Sequence, residues 1–301
     1  GSMFYTGHKK VLEKSSDREK GKFNKKKAET LINNLETISD NTGIPAGLDL
    51  VANYTEEAIN YVDFVTSITD MPFTTDIWNV KPKLGAAEYI SEQNLGDQHI
   101  YNSLAPWSTD IEGEIAKLNE LSLKNVLLVA FDAADPSIDG KIKILEESLL
   151  PWAKQAGFKQ FLVDTSLMSL PASAFAFLAG KKVKENFGLP VGCAPSNGSD
   201  MVKKKTERVF QKKGFRALDS AVHALGPFFW QDFLLFGPIE SASWLFPSVA
   251  TANAMLPALV YDEGGKLPKD PNHPLNKFYE DFINTLTGTK EIKGDMKPPK
   301  E

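Results

Sequence analysis

Apolar and polar positions alternate along the chain in a repeating order of helix-like and strand-like segments. After a polar, lysine-rich stretch at residues 8–27, one apolar stripe at helical spacing predicts the first helix. The stripe consists of Ala28, Leu31, Ile32, Leu35 and Ile38. Gly43-Ile44-Pro45 ends this helix, and the apolar run at 47–51 predicts a strand. Thr55 is the predicted N-cap of the next helix, where the helix dipole favours Glu56 and Glu57.

The same alternation continues to about residue 260. Strands are predicted near 72–76, 98–103, 124–131, 158–164, 189–194 and 231–236. Helices are predicted near 82–93, 112–122, 137–156, 171–187, 201–225 and 240–260. With Met3-Phe4-Tyr5 as the first strand there are about eight strand–helix units, which favour an α/β fold with a closed (β/α)8 TIM barrel. Open nucleotide-binding sheets are disfavoured, because the sequence has neither a G-x-G-x-x-G after the first strand nor a Walker A motif.

Residues 1–301 are predicted to form a single domain with a C-terminal helical extension from about residue 273. The region from Leu225 to Val260 is apolar on most sides, whereas an outer barrel helix should keep one polar face. Two explanations are open. The region covers a second copy in a homodimer, or a C-terminal helix at 274–285 packs over it.

Composition narrows the class of protein. A hydrophobic share of 42% and a charged share of 24% are typical of a globular domain, and a net charge of −5 argues against a nucleic-acid partner. The single cysteine, Cys193, excludes an internal disulfide, fits a cytoplasmic setting and is interpreted as a small buried residue. The four scattered histidines predict no metal site, and no membrane span or signal peptide is expected from the sequence.

Short acids and amides stand near the predicted strand ends, which meet at one mouth in a closed barrel. They are Asp49, Asp76, Asn102, Asp132, Asp164 and Asn197. Each alone could cap a helix or shape a turn. Together they predict a ring of acceptors and amides with almost no cations, which suits a neutral ligand rich in N–H donors, such as a reduced pterin. The residues alone support a polar small-molecule site.

Four segments resemble the H-subunit family of tetrahydromethanopterin S-methyltransferase, over nearly the whole chain. They are Phe4-Tyr5-Thr6-Gly7-His8-Lys9, Gly43-Ile44-Pro45, Ile100-Tyr101-Asn102-Ser103 and Phe236-Gly237-Pro238-Ile239-Glu240. The sequence is most similar to bacterial members that move a methyl group from a methylated corrinoid protein to tetrahydrofolate, as in glycine betaine demethylation. The resemblance implies a TIM barrel of the pterin-binding methyltransferase type, usually dimeric. Because family members usually carry an apolar strand before the Gly-Ser-aromatic segment, the first strand is expected to be truncated or to close the barrel differently.

The resemblance also implies roles for single residues. Asp76, Asn102 and Asp164 fall where the wider class binds its pterin, and Asn197 resembles an asparagine that hydrogen-bonds near the pterin N5. Asn197 is thus the expected catalytic residue. Ser103, Asp49 and Asp132 are further implied pterin-binding residues. The implied methyl donor is methylcobalamin on a separate corrinoid protein, since the chain has no Asp-x-His-x-x-Gly motif of its own.

Several alternatives stay open at this point. Tetrahydromethanopterin could replace tetrahydrofolate, or the chain could be a non-catalytic pterin-binding subunit of a methyl-transfer complex. A dihydropteroate synthase would need a cationic phosphate site, which no predicted strand end supplies. A Schiff-base aldolase would need a lysine at a strand end, whereas Lys124 starts its strand. The basic cluster Lys203, Lys204, Lys205, Arg208, Lys212 and Lys213 is either a solvated helix face or an attractor for an anionic tail or an acidic partner.

Overall fold

The computed structural model describes residues 1–8, 11, 12 and 21–288. Its centre is an eight-stranded sheet in which every strand pairs in parallel with the next strand along the chain. The strands are β1 (Ser2–Met3), β2 (Leu48–Ala52), β3 (Phe73–Ile77), β4 (His99–Leu104), β5 (Asn125–Val129), β6 (Gln160–Asp164), β7 (Val191–Cys193) and β8 (Phe233–Leu234).

Helices connect these strands and surround the sheet. They are α1 (Lys25–Thr42), α2 (Thr55–Thr66), α3 (Val80–Glu92), α4 (Ile111–Asn119), α5 (Ile138–Ile144), α6 (Leu150–Gln155), α7 (Ser173–Phe187), α8 (Pro195–Phe228), α9 (Ala242–Asp262), α10 (Pro274–Phe278) and α11 (Glu280–Leu286). A π-helical turn, Leu145–Leu149, joins α5 to α6, and a 3-10 turn, Ile239–Ser241, precedes α9.

The sheet curls into a barrel. The backbone N–H of Ser2 donates to Phe236 O at 2.9 Å, so β1 meets the segment that follows β8. Sequential parallel order and this closing contact confirm the (β/α)8 fold predicted from the alternation. The carboxyl ends of all eight strands consequently lie at one mouth.

Apolar side chains fill the space between the sheet and its helices. Every residue of β5 is buried, and in α1 the predicted stripe places Ile32 and Leu35 in the core, each 1% exposed or less. Fully burying a side chain of this size contributes roughly 1.5–3 kcal/mol. The helical spacing of this stripe is therefore what fixes the face that α1 turns toward the barrel.

Several element bounds differ from the sequence expectation. The helix expected at 137–156 contains the π-helical turn. Pro151 follows this turn closely, and because proline has no backbone N–H, one helical hydrogen bond is missing there. The helix expected at 201–225 already begins at Pro195, and Gln211 interrupts it with a φ of 60°. The strand expected at 231–236 is shorter because the Gln231 N–H donates to Gly226 O and completes the end of α8.

The N-cap prediction at Thr55 was wrong. Tyr54 occupies the N-cap position of α2 without a side-chain cap bond, and the Thr55 hydroxyl donates instead to Pro82 O at 3.4 Å. Glu57 accepts the Asn53 N–H at 2.6 Å, so an acid in the first turn satisfies a backbone donor ahead of the helix.

Helix α9 is apolar on much of its surface. It packs against α8, α1 and α10, yet Met255, Leu259 and Val260 each stay about half exposed. The helical stretch Ile239–Asp262 is long and apolar enough, by length and composition, to cross a membrane, which the sequence-based prediction did not anticipate. The short helix α10 buries Leu275, packs against α9 and covers only part of the apolar face.

Candidate functional site

A cavity of about 710 Å3 opens at the mouth of the barrel. Its lining includes six of the residues predicted for a pterin site, which come from different strands and from the first turn of α8. They are Asp49, Asp76, Asn102, Ser103, Asp164 and Asn197. The volume lies in the range of small-molecule sites, and the mouth is where barrel enzymes keep their chemistry.

Asp76 is the most accessible carboxylate of this group. It lies next to last in β3, with its side chain open to the cavity and the barrel mouth enclosing the other sides. Enclosure by the walls of the barrel mouth, together with the charge of Asp49, raises the pKa of Asp76 to about 7, although the charge of Lys83 acts in the opposite direction. Near neutral pH the carboxyl group therefore exists in both protonation states, and its charged form would gain from an N–H donor in the cavity.

Asp49 lies deeper in the barrel and is held by protein donors. Its Oδ1 accepts the Thr74 hydroxyl at 2.6 Å and the Asn102 amide at 3.4 Å, and its Oδ2 accepts the Ser2 hydroxyl at 2.7 Å. These bonds connect β1, β2, β3 and β4 beneath the cavity. Asp49 thus fixes the orientation of Asn102, whose amide oxygen is left to face a ligand.

Asp164 is the buried acid of the site and the last residue of β6, with 7% of its surface exposed. Burial raises its pKa to about 6, while the Ser166 N–H at 2.7 Å and the nearby Lys141 favour the charged form. Ser166 has a φ of 41°, a left-handed conformation that is strained for serine. Asp164 and Lys141, whose Nζ donates to Ser166 O at 2.9 Å, hold this turn from both sides.

Asn197 lies in the first turn of α8 and is exposed to the cavity. The turn begins directly after β7, with Pro195 at the first helical position, where its missing N–H costs no hydrogen bond. Gly198 packs against the loop after β6, where a Cβ would approach Leu170 N to 2.9 Å. This close contact fixes the turn that presents Asn197 and Asp200.

Asp132 does not line this cavity. The structure ends β5 at Val129, so Asp132 belongs to the following loop, where its Oδ1 accepts the Ala134 N–H at 2.8 Å. This contact shapes a turn, and the structure does not bring Asp132 together with the other six residues; its assignment to the pterin site stays a prediction.

Two lysines reach the mouth from helices, which corrects the expectation of a mouth almost without cations. Lys83 of α3 lines the cavity, is 6% exposed, and its Nζ lies 2.7 Å from Glu114 Oε1 and 2.9 Å from Ser103 O. Lys141 of α5 lies over the Phe131 ring at 5.3 Å, and burial lowers its pKa. Both ammonium groups already have protein partners, so neither forms an open phosphate site.

An apolar rim was also missed by the sequence-based prediction. Trp78 and Trp107 stack with their ring centroids 5.8 Å apart, and Phe131 meets Trp107 edge-on at 6.4 Å. All three line the cavity, yet Trp78 is 74% exposed and Met168 60% exposed. The available signal was an aromatic residue one to three positions after each of β3, β4 and β5.

Cys193 and the basic cluster, which the sequence analysis also considered, are not among the residues that line the cavity. Cys193 is buried at the end of β7, and burial beside Asp164 raises its pKa, so it is a poor nucleophile. In the described part of the chain, no group of three or more His, Cys, Asp or Glu residues is arranged to hold a metal ion. Most of the basic cluster is exposed on α8, with Lys203 turned back toward Asp200 at 3.4 Å.

A second, largely apolar groove of about 770 Å3 adjoins the cavity. The two spaces share Phe131, Ser166 and Met168. Phe175 lines the outer part of the groove, and Asp135 and Asp139 lie along it. A ligand larger than a bicyclic ring therefore has a continuous path from the polar cavity to a largely apolar surface, where the two acids lie beside Lys141 and Lys182.

Comparison with known proteins identifies the same subunit by a family match and by individual relatives. The family described as tetrahydromethanopterin S-methyltransferase MtrH subunit matches residues 1–265. The H subunit of this enzyme from Methanosarcina mazei is 32% identical over 290 residues, covering 92% of this chain and 90% of the relative. Its counterpart from Methanocaldococcus jannaschii is 33% identical over 295 residues, with the same two coverages of 92% and 90%.

Among solved structures, a Yersinia pestis dihydropteroate synthase in complex with a sulfonamide drug aligns with a TM-score of 0.49 and 13% identity. The alignment covers 77% of this chain and 87% of that chain. A dihydropteroate synthase from Coxiella burnetii in complex with pteroic acid aligns with a TM-score of 0.49 and 11% identity, covering 76% of this chain and 85% of the other.

Proposed function

The chain belongs to the family of the MtrH subunit of tetrahydromethanopterin S-methyltransferase, and we propose that it binds a reduced pterin in the barrel mouth and catalyses methyl transfer. The observation that carries the proposal is the convergence of Asp76, Asn102 and Asp164 on one cavity. The amino-pyrimidine edge of a reduced pterin offers N–H donors, and a carboxylate facing such donors gains about 1.5–3 kcal/mol per charge-assisted bond.

Two reduced pterins share this ring edge and differ in their tails. The names of the relatives favour tetrahydromethanopterin over the tetrahydrofolate expected from the resemblance to bacterial members. The link to glycine betaine stays a prediction from the resemblance.

The residues of this chain would orient and shield the reacting groups. A methylated corrinoid on a separate protein would supply an electrophilic methyl group on cobalt, and the pterin N5 the electron pair that accepts it. Asp76, Asn102 and Asp164 would hold the ring plane, and the Asn197 amide could donate to or accept from N5. Trp78 and Trp107 at the rim would exclude water and meet the incoming corrinoid protein.

Titration calorimetry tests the binding step. The protein is titrated with tetrahydromethanopterin and, separately, with tetrahydrofolate, and both titrations are repeated with Asp164→Ala. We expect micromolar binding of one pterin and a loss of about tenfold to a hundredfold in the variant. Equal binding by the variant, or no binding of either pterin by the unaltered protein, would refute the pterin site.

A kinetic measurement tests the role of Asn197. With methylcobalamin as the methyl donor, Asn197→Ala should lower turnover far more than pterin affinity, because the amide would act at the reacting nitrogen. An unchanged rate would remove Asn197 from the mechanism. Pterin binding with no methyl transfer, even when a methylated corrinoid protein is added, would favour the non-catalytic subunit instead.

The exposed face of α9 supports a partner on the outside of the barrel. Met255, Leu259 and Val260 are about half exposed, and the adjoining helix α10 carries the exposed Phe278. We propose that a second copy of the chain covers this face, as a homodimer would require.

A further inference from the structure

A set of buried polar side chains lies against the first turn of α8, and Ser196 within it also borders the cavity. Ser196 comes from that turn, Asp219 and His223 from the later part of the same helix, and Trp244 from α9. Asp219 is 2% exposed and His223 is 1% exposed. Burying such groups is costly unless every one has a partner, so their arrangement calls for a physical reason.

Both oxygens of Asp219 are used to join three helical segments. Oδ1 accepts the hydroxyl of Ser199 at 2.7 Å, and Oδ2 accepts the Trp244 indole N–H at 2.9 Å. Asp219 thereby ties the first turn of α8 to the later part of that helix and to α9.

His223 supplies the second tie. Its Nδ1 lies 2.8 Å from Asp219 O and its Nε2 lies 3.4 Å from Ser196 Oγ. Burial lowers the pKa of His223, so the ring is neutral, with Nδ1–H donating to the carbonyl and Nε2 accepting from the serine.

These residues do not form a hydrolytic triad, although they include a serine, a histidine and an aspartate in contact with one another. The Nδ1 proton is directed at the Asp219 backbone oxygen, while Asp219 Oδ1 lies farther away, at 3.4 Å, and is already bonded to Ser199. The carboxylate therefore does not orient the ring as a triad requires. An anchoring role fits the geometry better.

The spacing along α8 shows what the anchor holds. Ser196 and Ser199, three residues apart, are buried and contact His223 and Asp219, and Ser196 also borders the cavity. Asn197 and Asp200, also three apart, are exposed and line the cavity. Residues three apart lie on one side of a helix, so fixing the serine side also fixes the direction of the other. We propose that Ser196, Asp219 and His223 are positioning residues that set Asn197 against the bound pterin. This inference rests on the proposed function.

The first test is kinetic, with free methylcobalamin and the pterin found to bind. His223→Ala should lower kcat by about tenfold to a hundredfold while KM for the pterin changes by less than about threefold, because a misplaced group costs rate more than affinity. His223→Gln, which keeps an acceptor and a donor, should recover part of the rate. Ser196→Ala, a smaller change, should act in the same direction.

A double-mutant cycle separates positioning from a general loss of structure. If His223 acts through Asn197, the His223→Ala substitution should have no further effect on kcat in an Asn197→Ala background. His99→Ala is the matched control, because His99 is also buried, binds the Thr75 hydroxyl at 3.0 Å and lies at the opposite end of the barrel. Its loss should lower stability and leave kcat unchanged.

Additive effects in the cycle, or an equal loss of kcat in His99→Ala, would overturn the inference. Amide hydrogen exchange of residues 196–200 gives a readout that needs no activity: it should accelerate in His223→Ala and not in His99→Ala. An unaltered protein that binds no pterin would refute the proposed function, whereas unchanged exchange in His223→Ala would refute the anchor by itself.

Discussion

Replacing Asp164 by asparagine should stabilise the protein at neutral pH while it weakens ligand binding. Burial raises the pKa of Asp164 from 3.8 to about 6, which means that the folded protein holds a carboxylate in an unfavourable place. Asparagine has nearly the same shape, and its oxygen can still accept the Ser166 N–H. The substitution therefore removes the charge and keeps the packing.

The magnitude follows from the shift of about two units between the folded and unfolded protein. At 1.36 kcal/mol per unit, the carboxylate lowers the free energy of unfolding by up to about 3 kcal/mol once the pH exceeds both pKa values. Well below pH 3.8 the group is protonated in both states and the penalty vanishes. Stability of the unaltered protein should thus fall as the pH rises from about 4 to 6, and Asp164→Asn should lack this fall.

Urea unfolding followed by tryptophan fluorescence at pH 3, 6 and 8 measures the effect. With a slope of about 3 kcal/mol/M, the variant's midpoint should lie about 1 M higher at pH 8 and should nearly coincide with that of the unaltered protein at about pH 3. Asp97→Asn is the control, since Asp97 is 79% exposed, forms a surface pair with Lys124, and should shift the midpoint little at any pH. Equal destabilisation by Asp164→Asn at every pH would refute the reasoning.

Three further changes test other parts of the structure. The unaltered protein should bind the pterin more tightly as the pH rises from about 6 to 8, because Asp76, with its pKa raised to about 7, becomes charged in this interval. Asp76→Asn should abolish this rise in affinity. Calorimetry across this pH range measures it, and a rise of the same size in the variant would contradict the prediction. Lys83→Met should lower the free energy of unfolding by about 3–5 kcal/mol, because the buried Glu114 carboxylate loses its opposite charge and keeps only hydroxyl donors. Lys117→Met at the exposed pair with Glu88 should cost less than about 1 kcal/mol in the same denaturation assay. Leu259→Glu should halve the mass measured by light scattering, and a monomeric unaltered protein would remove the homodimer.

The features that follow from local pattern were predictable from sequence. The continuous apolar run of β5 is buried as predicted, and the apolar stripe of α1 faces the core, with Ala28, Ile32 and Leu35 buried and Leu31 and Ile38 partly buried. The meeting of Asp76, Asn102 and Asp164 was predictable too, because parallel strands bring their carboxyl ends to one edge whatever their separation along the chain.

Asp132 and Asp164 show where this reasoning stops. Both follow an apolar run, but β6 ends on Asp164 whereas β5 ends at Val129, three residues before Asp132. An apolar pattern does not mark the residue at which pairing ends, and two or three residues decide whether a carboxylate faces the cavity or a turn. Lys83 and Lys141 were missed for another reason, since their stems cross from the helix layer to the mouth and local periodicity carries no information on such long-range contacts.

The closing contact between Ser2 and Phe236 has a consequence for how the barrel assembles. Neighbouring strands elsewhere in the ring are also successive along the chain, but this contact joins residues 234 positions apart. Bringing such distant segments together is entropically the most demanding step, and the strands on either side, β1 and β8, have two residues each. The line between them is therefore the last part of the ring to form and the first to separate. Ser2, Phe236 and Gly237 at this junction of β1 and β8 line the cavity. The junction is therefore also the place where the ligand site can widen without disturbing the rest of the barrel.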